Sequence, residues 1–277
     1  MRVVPRGGVV LDVGAGTGIL SIFAAQAGAR KVYAVEETPI ALEARELVAR
    51  NGLADRIEIL QSSVEKLVPS EKVDVIVSEW LGGFAIDENM LPSVLLARDR
   101  WLKPGGAMIP NRVDVWMAPC FFPAFEEKRR FWLSKPYGVD MALVAERMYH
   151  ELFYEQHDLS PEHLMSEAEV LWTIDALSKT VDRSWKPFKA KPIFTARRSG
   201  EINGLAAWFS ADLAGVLIST DPASPANHWG RVFLPLSQSL AVQQGEAISV
   251  NMACHPFGPL ETWSKWTVTV KRIRSTA

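Results

Sequence analysis

A strand that runs directly into a glycine-rich turn and a helix limits the possible folds of this chain more than any other feature. The segment VVLDVGAGTGILS places Gly14, Gly16 and Gly18 immediately after a continuous apolar run. Glycine adopts positive φ readily and lets a ligand approach the backbone, and a helix N-terminus favours polar or anionic groups. The segment therefore predicts a nucleotide-binding strand, turn and helix of an α/β fold.

The same alternation of strands and helices continues over residues 1–110. Apolar runs such as KVYAVE, IEIL and VDVIVSE are separated by helical patterns, which is typical of a parallel sheet covered on both faces. Beyond LKPGGAMIP, segments such as GLAAWFSADLA, RVFLPL and WTVTVKRI indicate antiparallel strands at sandwich or barrel spacing. We predict a doubly wound α/β domain over 1–110 and a β-rich domain over 111–277, with a helical insertion at about 124–168.

The composition of the chain argues against nucleic acid, membrane and metal ions as partners. Thirty basic and thirty-two acidic residues give a net charge of -2 with no sustained basic block, so nucleic acid is a weak partner hypothesis. No apolar run is long enough to span a membrane, and a strand-like stretch begins too early for a secretory signal, which favours a cytoplasmic protein. Cys120 and Cys254 lack metal-ligand spacing and are expected in the core, so no metal site is predicted.

The spacing of the glycines argues against a dinucleotide. The fingerprint G-x-G-x-x-G would need glycine where this chain has Ile19. Asp12 precedes the turn, Glu36 ends the second strand where a carboxylate can accept ribose hydroxyls, and Glu65 follows the third strand near an adenine amine. A purely structural turn is the alternative, which these carboxylates disfavour. Adenosine without pyrophosphate suggests S-adenosylmethionine, and the predicted cofactor-binding residues are Asp12, Gly14, Gly16, Gly18, Glu36, Val64, Glu65 and Met90.

A second pair of carboxylates frames the loop SEWLGGFAIDENML. Glu79 and Glu88 lie at the carboxyl edge of the predicted sheet, where ligands of such folds bind. Close carboxylates repel unless a cation neutralises them, and the planar, permanently charged guanidinium matches such a pair. The alternative is an exposed pair at the start of a helix, with Glu88 as an acid of its first turn.

The order of these motifs resembles the protein arginine N-methyltransferase family. The resemblance rests on the glycine-rich segment, on SEWLGGFAIDENML as the family's double-glutamate loop, on LLARDRWLKPGGAMIP, and on NHWGRVF as its threonine-histidine-tryptophan loop. It also covers FWLSKPYGVDM and the C-terminal strands. It implies methyl transfer from S-adenosylmethionine to an arginine nitrogen of a basic protein substrate, between a Rossmann-like domain and an antiparallel β-barrel.

The resemblance also implies individual roles. Glu79 and Glu88 would clamp the guanidinium, and His228 would line the substrate site from the barrel side. Trp80 and Trp229 would contact the substrate, while Glu36 and Glu65 would hold the ribose and adenine. The helical insertion corresponds to the family's dimerisation arm, which predicts a head-to-tail homodimer.

Four departures from the family pattern bear on activity. The family normally places a helical segment ahead of the glycine-rich strand, whereas Asp12 lies only eleven residues after Met1; a more open cofactor pocket is therefore expected. Gly83 stands where tyrosine is usual, which should remove a wall of the arginine tunnel. Asp87 replaces an aromatic residue, and Asn227 replaces threonine. The alternative functions are methylation of a small molecule and a non-catalytic scaffold.

Overall fold

A parallel sheet forms the first half of the chain. The computed structural model describes residues 4–86, 88–155, 158–179, 188–255 and 265–273. Five strands form the sheet: β1 (Val9–Val13), β2 (Lys31–Glu36), β3 (Ile57–Gln61), β4 (Val73–Val77) and β5 (Leu102–Ile109). Their order is β3-β2-β1-β4-β5 and every pairing is parallel, as the continuous apolar runs predict. The order reverses between β1 and β4, and ligands of open α/β sheets bind at such a point.

Helices cover both faces of this sheet. They are α1 (Ile19–Gln26), α2 (Ala41–Arg50) and α3 (Leu91–Trp101). Alternate strand residues point to opposite faces, so Val10 and Val32 pack with α1 and α2, whereas Leu11 and Val35 share a core with α3. The second of these cores continues into the other half of the protein, which fixes the two halves against each other.

Antiparallel strands form the second half. They are β6 (Arg112–Cys120), β7 (Phe153–Glu155), β8 (Glu169–Asp175), β9 (Phe188–Ala190), β10 (Ile193–Thr195), β11 (Gly200–Asp212), β12 (Leu217–Ser219), β13 (Arg231–Val242), β14 (Ala247–His255) and β15 (Lys265–Ile273). One sheet has the order β7-β13-β11-β6-β8, with β12 on β11, and the other has β10-β14-β15, with β9 on β14. The sheets meet where β8 approaches β9 and β13 approaches β15, which gives the predicted barrel.

Two helices project between β6 and β7. They are α4 (Pro123–Leu133) and α5 (Ala142–Arg147), joined by a 3-10 turn at Pro136–Gly138. The base of α4 is fixed because the Phe125 ring packs 5.1 Å from Phe233 and 5.5 Å from Phe153, measured between ring centroids. None of the described helices is long and apolar enough to cross a membrane.

Candidate active site

The glycine-rich turn closes over the end of β2. Gly14, Gly16 and Gly18 have φ of 70°, 55° and 82°, a region that glycine occupies without steric cost. The backbone N–H groups of Gly14 and Ala15 both donate to the carbonyl of Val35 at 2.9 Å. A Cβ built on Gly14 would lie 2.5 Å from Cε of Met90. The Met90 methyl group therefore rests directly on the turn, and a side chain at position 14 would have to displace it.

Glu36 is fixed beneath this turn by two backbone donors. Its Oε2 accepts from the N–H of Gly16 at 2.9 Å and its Oε1 accepts from the N–H of Thr38 at 2.8 Å. Burial acts to raise the pKa of Glu36, but the hydrogen bonds from Thr38 and Gly16 outweigh it and lower the pKa overall. An ionised carboxylate has about four lone-pair directions, so Glu36 retains capacity to accept ribose hydroxyls.

Asp12 supplies a buried carboxylate at the start of the same turn. Its Oδ2 accepts from Oγ of Ser21 at 2.7 Å, whereas its Oδ1 has no hydrogen-bond partner among the described residues. Burial, with a contribution from the negative charge of Glu36, raises the pKa of Asp12 to about 6. A buried acceptor without a partner beside a nucleotide-type turn fits the ammonium group in the amino acid part of S-adenosylmethionine.

Two side chains of α3 contact Glu65. It is exposed in a 3-10 turn at Val64–Lys66, and its Oε1 accepts from Oγ of Ser93 at 3.2 Å. Nη1 of Arg100 donates to the Glu65 carbonyl at 2.7 Å, and Val64 is buried. Both donors belong to α3, which therefore positions the turn.

The double-glutamate loop begins where β4 joins the sheet centre. Oγ of Ser78 donates to the carbonyl of Val13 at 2.6 Å, which fixes the start of the loop beside the end of β1. Oε1 of Glu79 accepts from the N–H of Leu81 at 2.9 Å and from Nε1 of Trp229 at 3.3 Å. The structure thus brings together Glu79 and Trp229, two residues predicted at the site from distant motifs.

The second loop of the site packs as an aromatic stack. The exposed ring of His228 lies 4.0 Å from the ring of Trp229 with a 38° tilt, and Trp229 meets Phe209 edge-on at 5.7 Å, measured between centroids. Nδ2 of Asn227 donates to the carbonyl of Ser219 at 3.3 Å, so the residue that replaces the family's threonine still fixes its loop.

Two further predicted residues belong to the same double-glutamate loop. Trp80 is 1% exposed and packs in the core, so its placement gives it a structural role and a contact with substrate stays a prediction. Glu88 is exposed, and its clamp with Glu79 also stays a prediction. Asp87 lies outside the described residues.

Tyr154 is a residue of this region that sequence reasoning missed. A Cβ built on Gly83 would lie 2.2 Å from Cε1 of Tyr154, so the tyrosine ring fills the space above the glycine. A tyrosine ring from another segment thus lies beside Gly83, and the expectation that Gly83 leaves a wall of the arginine tunnel open stays a prediction. No local pattern could reveal this contact, because Tyr154 reaches the loop only through the pairing of β7 with β13.

The fold and site define a class I type methyltransferase that uses S-adenosylmethionine, with a β-barrel added after the parallel sheet. The family model described as the arginine methyltransferase oligomerization subdomain matches residues 111–261, and the model described as ribosomal protein L11 methyltransferase matches 2–109. Protein arginine N-methyltransferase PRMT10 of Oryza sativa subsp. japonica is 40% identical over 89% of this chain and 72% of that protein. Protein arginine N-methyltransferase 6 of Danio rerio is 37% identical over 91% and 74%.

Solved structures agree with these relatives. The Trypanosoma brucei PRMT1 enzyme-prozyme heterotetrameric complex with AdoHcy superposes with a TM-score of 0.83 and 30% identity, over 97% of this chain and 90% of that one. Arabidopsis thaliana protein arginine methyltransferase 10 gives 0.73 and 31%, over 95% and 89%. The chain belongs to the protein arginine N-methyltransferase family. The predicted enzyme class and cofactor, S-adenosylmethionine-dependent methylation of arginine in proteins, are confirmed at the level of the family, and the chain carries its oligomerization subdomain.

Proposed function

We propose that this chain methylates a guanidino nitrogen of arginine within basic protein segments, with Glu79, Glu88 and His228 as its catalytic residues. The observation that carries the proposal is the hydrogen bond from Nε1 of Trp229 to Oε1 of Glu79. It joins the loop that follows β4 of the parallel sheet to the loop before β13. It also commits one carboxylate oxygen of Glu79 to the protein and leaves the other for a cation.

The proposed boundary between a cofactor domain and a substrate domain coincides with the change from parallel to antiparallel strand pairing. Parallel pairing ends with β5 at Ile109, and antiparallel pairing begins with β6 at Arg112. This supports a cofactor domain over 1–110 and a substrate domain over 111–277, with the helical arm at about 124–168. The proposed cofactor residues all lie in the first domain: Asp12, Gly14, Gly16, Gly18, Glu36, Val64, Glu65 and Met90.

The chemistry assigned to the chain is mainly positioning and charge. S-adenosylmethionine, when bound, supplies an electrophilic methyl group on a sulfonium sulfur. Holding a nitrogen in a near-attack position removes several kcal/mol from such a barrier, about 7 to 11 in favourable cases. Arginine stays protonated because its pKa is above about 12, so a neutral nucleophile is scarce at pH 7. Glu79 and Glu88 concentrate the guanidinium charge on the nitrogen they hold, which leaves the other nitrogen more nucleophilic.

One proton must leave the guanidinium when it gains a methyl group, because the product otherwise carries two positive charges. Glu88 and His228 are both exposed and can pass that proton to water.

The direct test is transfer of labelled methyl from S-adenosylmethionine to an Arg/Gly-rich peptide, with a lysine-substituted peptide alongside. We expect label on the arginine peptide alone and a loss of about 100-fold in Glu88→Gln, since misplacing a held group costs about that much. Glu201→Gln is the matched control, because Glu201 is exposed on β11 away from the two loops. No label on the arginine peptide would overturn the proposal, and label only on small molecules would favour the alternative substrate class.

A homodimer is the assembly we propose. Large apolar side chains are exposed on the arm and on the outer helices of the parallel sheet: Phe131, Leu133, Tyr137 and Leu143 on the arm, and Ile19, Phe23, Leu42 and Leu47 on α1 and α2. Patches of this kind mark interaction surfaces. A head-to-tail pair would cover both patches twice and close as a ring.

We also propose that the enzyme acts in the cytoplasm. Cys120 and Cys254 are both buried, and burial raises the pKa of the Cys120 thiol, so neither resembles part of an extracellular disulfide framework.

A further inference from the structure

We propose that Tyr154 is a positioning residue for the substrate arginine, supplied by β7 to the double-glutamate loop. This inference rests on the proposed function, because it concerns the same substrate site. The observation behind it is the contact between Tyr154 and Gly83. A Cβ on Gly83 would lie 2.2 Å from Cε1 and 2.3 Å from Cδ1 of Tyr154, far inside contact distance.

The ring, and not the backbone, is what requires glycine at position 83. The φ of Gly83 lies outside the left-handed region, unlike that of the neighbouring Gly82, which has φ of 53°. An alanine could therefore adopt the Gly83 backbone if the ring were absent. The loop and the ring are matched to each other across the fold.

The sheet holds Tyr154 in place independently of the loop. In the β7–β13 pairing, Tyr154 lies opposite Val232, and β13 begins at Arg231, just after the His228–Trp229 stack. Successive residues of a strand point to opposite faces. Phe153 accordingly packs into the aromatic cluster of Phe125 and Phe233, while Tyr154 faces the loop.

The position of Tyr154 suits contact with a guanidinium. Trp229 contacts both Gly83 and Glu79. Its carbonyl oxygen lies 3.3 Å from the position of a Cβ built on Gly83, and its Nε1 donates to Glu79. Tyr154 is 47% exposed, so part of the residue is accessible to a ligand. An aromatic face binds the flat, weakly hydrated guanidinium by cation–π and stacking contacts. The ammonium of lysine is a compact, strongly hydrated point charge and has no flat face to stack.

Two variants separate substrate positioning from packing. We expect Tyr154→Ala to raise KM for the arginine peptide about tenfold, while the Kd for S-adenosylmethionine measured by calorimetry changes less than twofold. Tyr154→Phe should keep KM near that of the unaltered protein, because the ring supplies the contact. Leu217→Ala is the control, since Leu217 is more exposed than Tyr154 and lies on β12.

A thermal denaturation cycle tests the ring contact without any activity. Gly83→Ala should lower Tm by about 5 °C in the presence of Tyr154, and by less than about 1 °C in the Tyr154→Ala background. Equal effects in the two backgrounds would overturn the contact and with it the inference.

The kinetic outcomes are distinguishable. An active enzyme whose peptide KM is unchanged in Tyr154→Ala would overturn this inference and leave the proposed function standing. A protein without any arginine transfer, with cofactor bound, would overturn the proposed function and this inference together.

Discussion

Nε1 of Trp229 donates a hydrogen bond to Oε1 of Glu79 at 3.3 Å, and this bond joins the barrel to the loop that follows β4 of the parallel sheet. The two residues come from motifs far apart in the chain, and each lies in a loop at the end of a strand. The tryptophan ring is in turn held edge-on by Phe209 in β11. The barrel therefore helps to set the orientation of the first glutamate, together with the N–H of Leu81 in the loop itself.

Replacement of Trp229 by phenylalanine should lower kcat/KM for an arginine peptide by about fivefold. The variant keeps an aromatic ring against Phe209 but loses the donor to Glu79, and one such bond contributes about 1 kcal/mol. Steady-state methyl transfer measures this loss. The control is Trp172→Phe, because Nε1 of Trp172 has no hydrogen-bond partner among the described residues. Similar losses in the two variants would show that ring volume matters and the bond does not.

The free energy of unfolding should fall as pH rises from about 4 to 7 because of Asp12. Its pKa is about 6 in the folded protein against an ordinary value of 3.8, so the folded state binds the proton more tightly. Protonated Asp12 contributes its full stabilisation to the folded state below pH 3.8. This contribution to the free energy of unfolding, up to about 3 kcal/mol, is lost as pH rises through 6. Asp12→Asn should flatten this dependence in urea unfolding without cofactor, and should weaken cofactor binding at pH 8.

Asp74 provides the opposite pH dependence as a control. Burial acts to raise its pKa, but bonds from Nζ of Lys103 at 2.7 Å and the N–H of Val9 at 2.8 Å lower the pKa overall. Its stabilisation is present above its unfolded pKa and is lost as pH falls through the folded one. Asp74→Asn should therefore destabilise most near neutral pH. The change in the free energy of unfolding caused by each substitution should vary with pH in opposite directions. If it varies in the same direction for Asp12→Asn and Asp74→Asn, both pKa assignments are contradicted.

Alanine at Gly14 should destabilise the protein more than alanine at Gly16. Both positions have positive φ, which costs about 1 to 2 kcal/mol for a non-glycine residue. Only at Gly14 does the added Cβ meet another residue, Met90, since nothing lies within 4 Å of the Cβ position at Gly16. Urea midpoints measure the difference, and Met90→Ala should recover it in the Gly14→Ala background. Equal midpoints for the two glycine variants would contradict the Met90 contact.

Charges in the two apolar patches should dissociate the proposed dimer. Phe23→Glu on α1 and Leu143→Glu on α5 each place a charge where an exposed apolar ring or chain now lies, 54% and 58% accessible. Sedimentation equilibrium should show monomers for both. Val68→Glu, at an 88% exposed position outside both patches, should stay dimeric. Dimers in all three variants would rule out the head-to-tail arrangement.

Local patterns predicted the parallel half well, whereas its cofactor residues stay predictions. Strand β1, the glycine turn and α1 follow one another without interruption, and period and turn chemistry suffice to recognise them. Glu36 and Asp12 were identifiable because the carboxyl ends of parallel strands meet at one edge of the sheet. The resemblance to the family supplied the barrel and the second loop of the site.

Contacts between distant segments were not predictable in this way. Ser93 holds Glu65 from α3, the N–H of Gly16 holds Glu36 from the glycine-rich turn, and Trp80 is buried although its loop contributes to the site. Each depends on how far one element is shifted against another. A pattern of alternating residues does not contain that distance.

The sequence by itself determined which segments become strands, where the backbone must turn, and which carboxylates end at the cofactor edge, because these depend on near neighbours in the chain. Only the tertiary structure decided that Trp229 holds Glu79 and that the ring of Tyr154 occupies the space above Gly83. The physical reason is strand register. The pairing of β7 with β13 carries a residue from one part of the chain to a loop of another, and that alignment is fixed by the packing of the whole barrel.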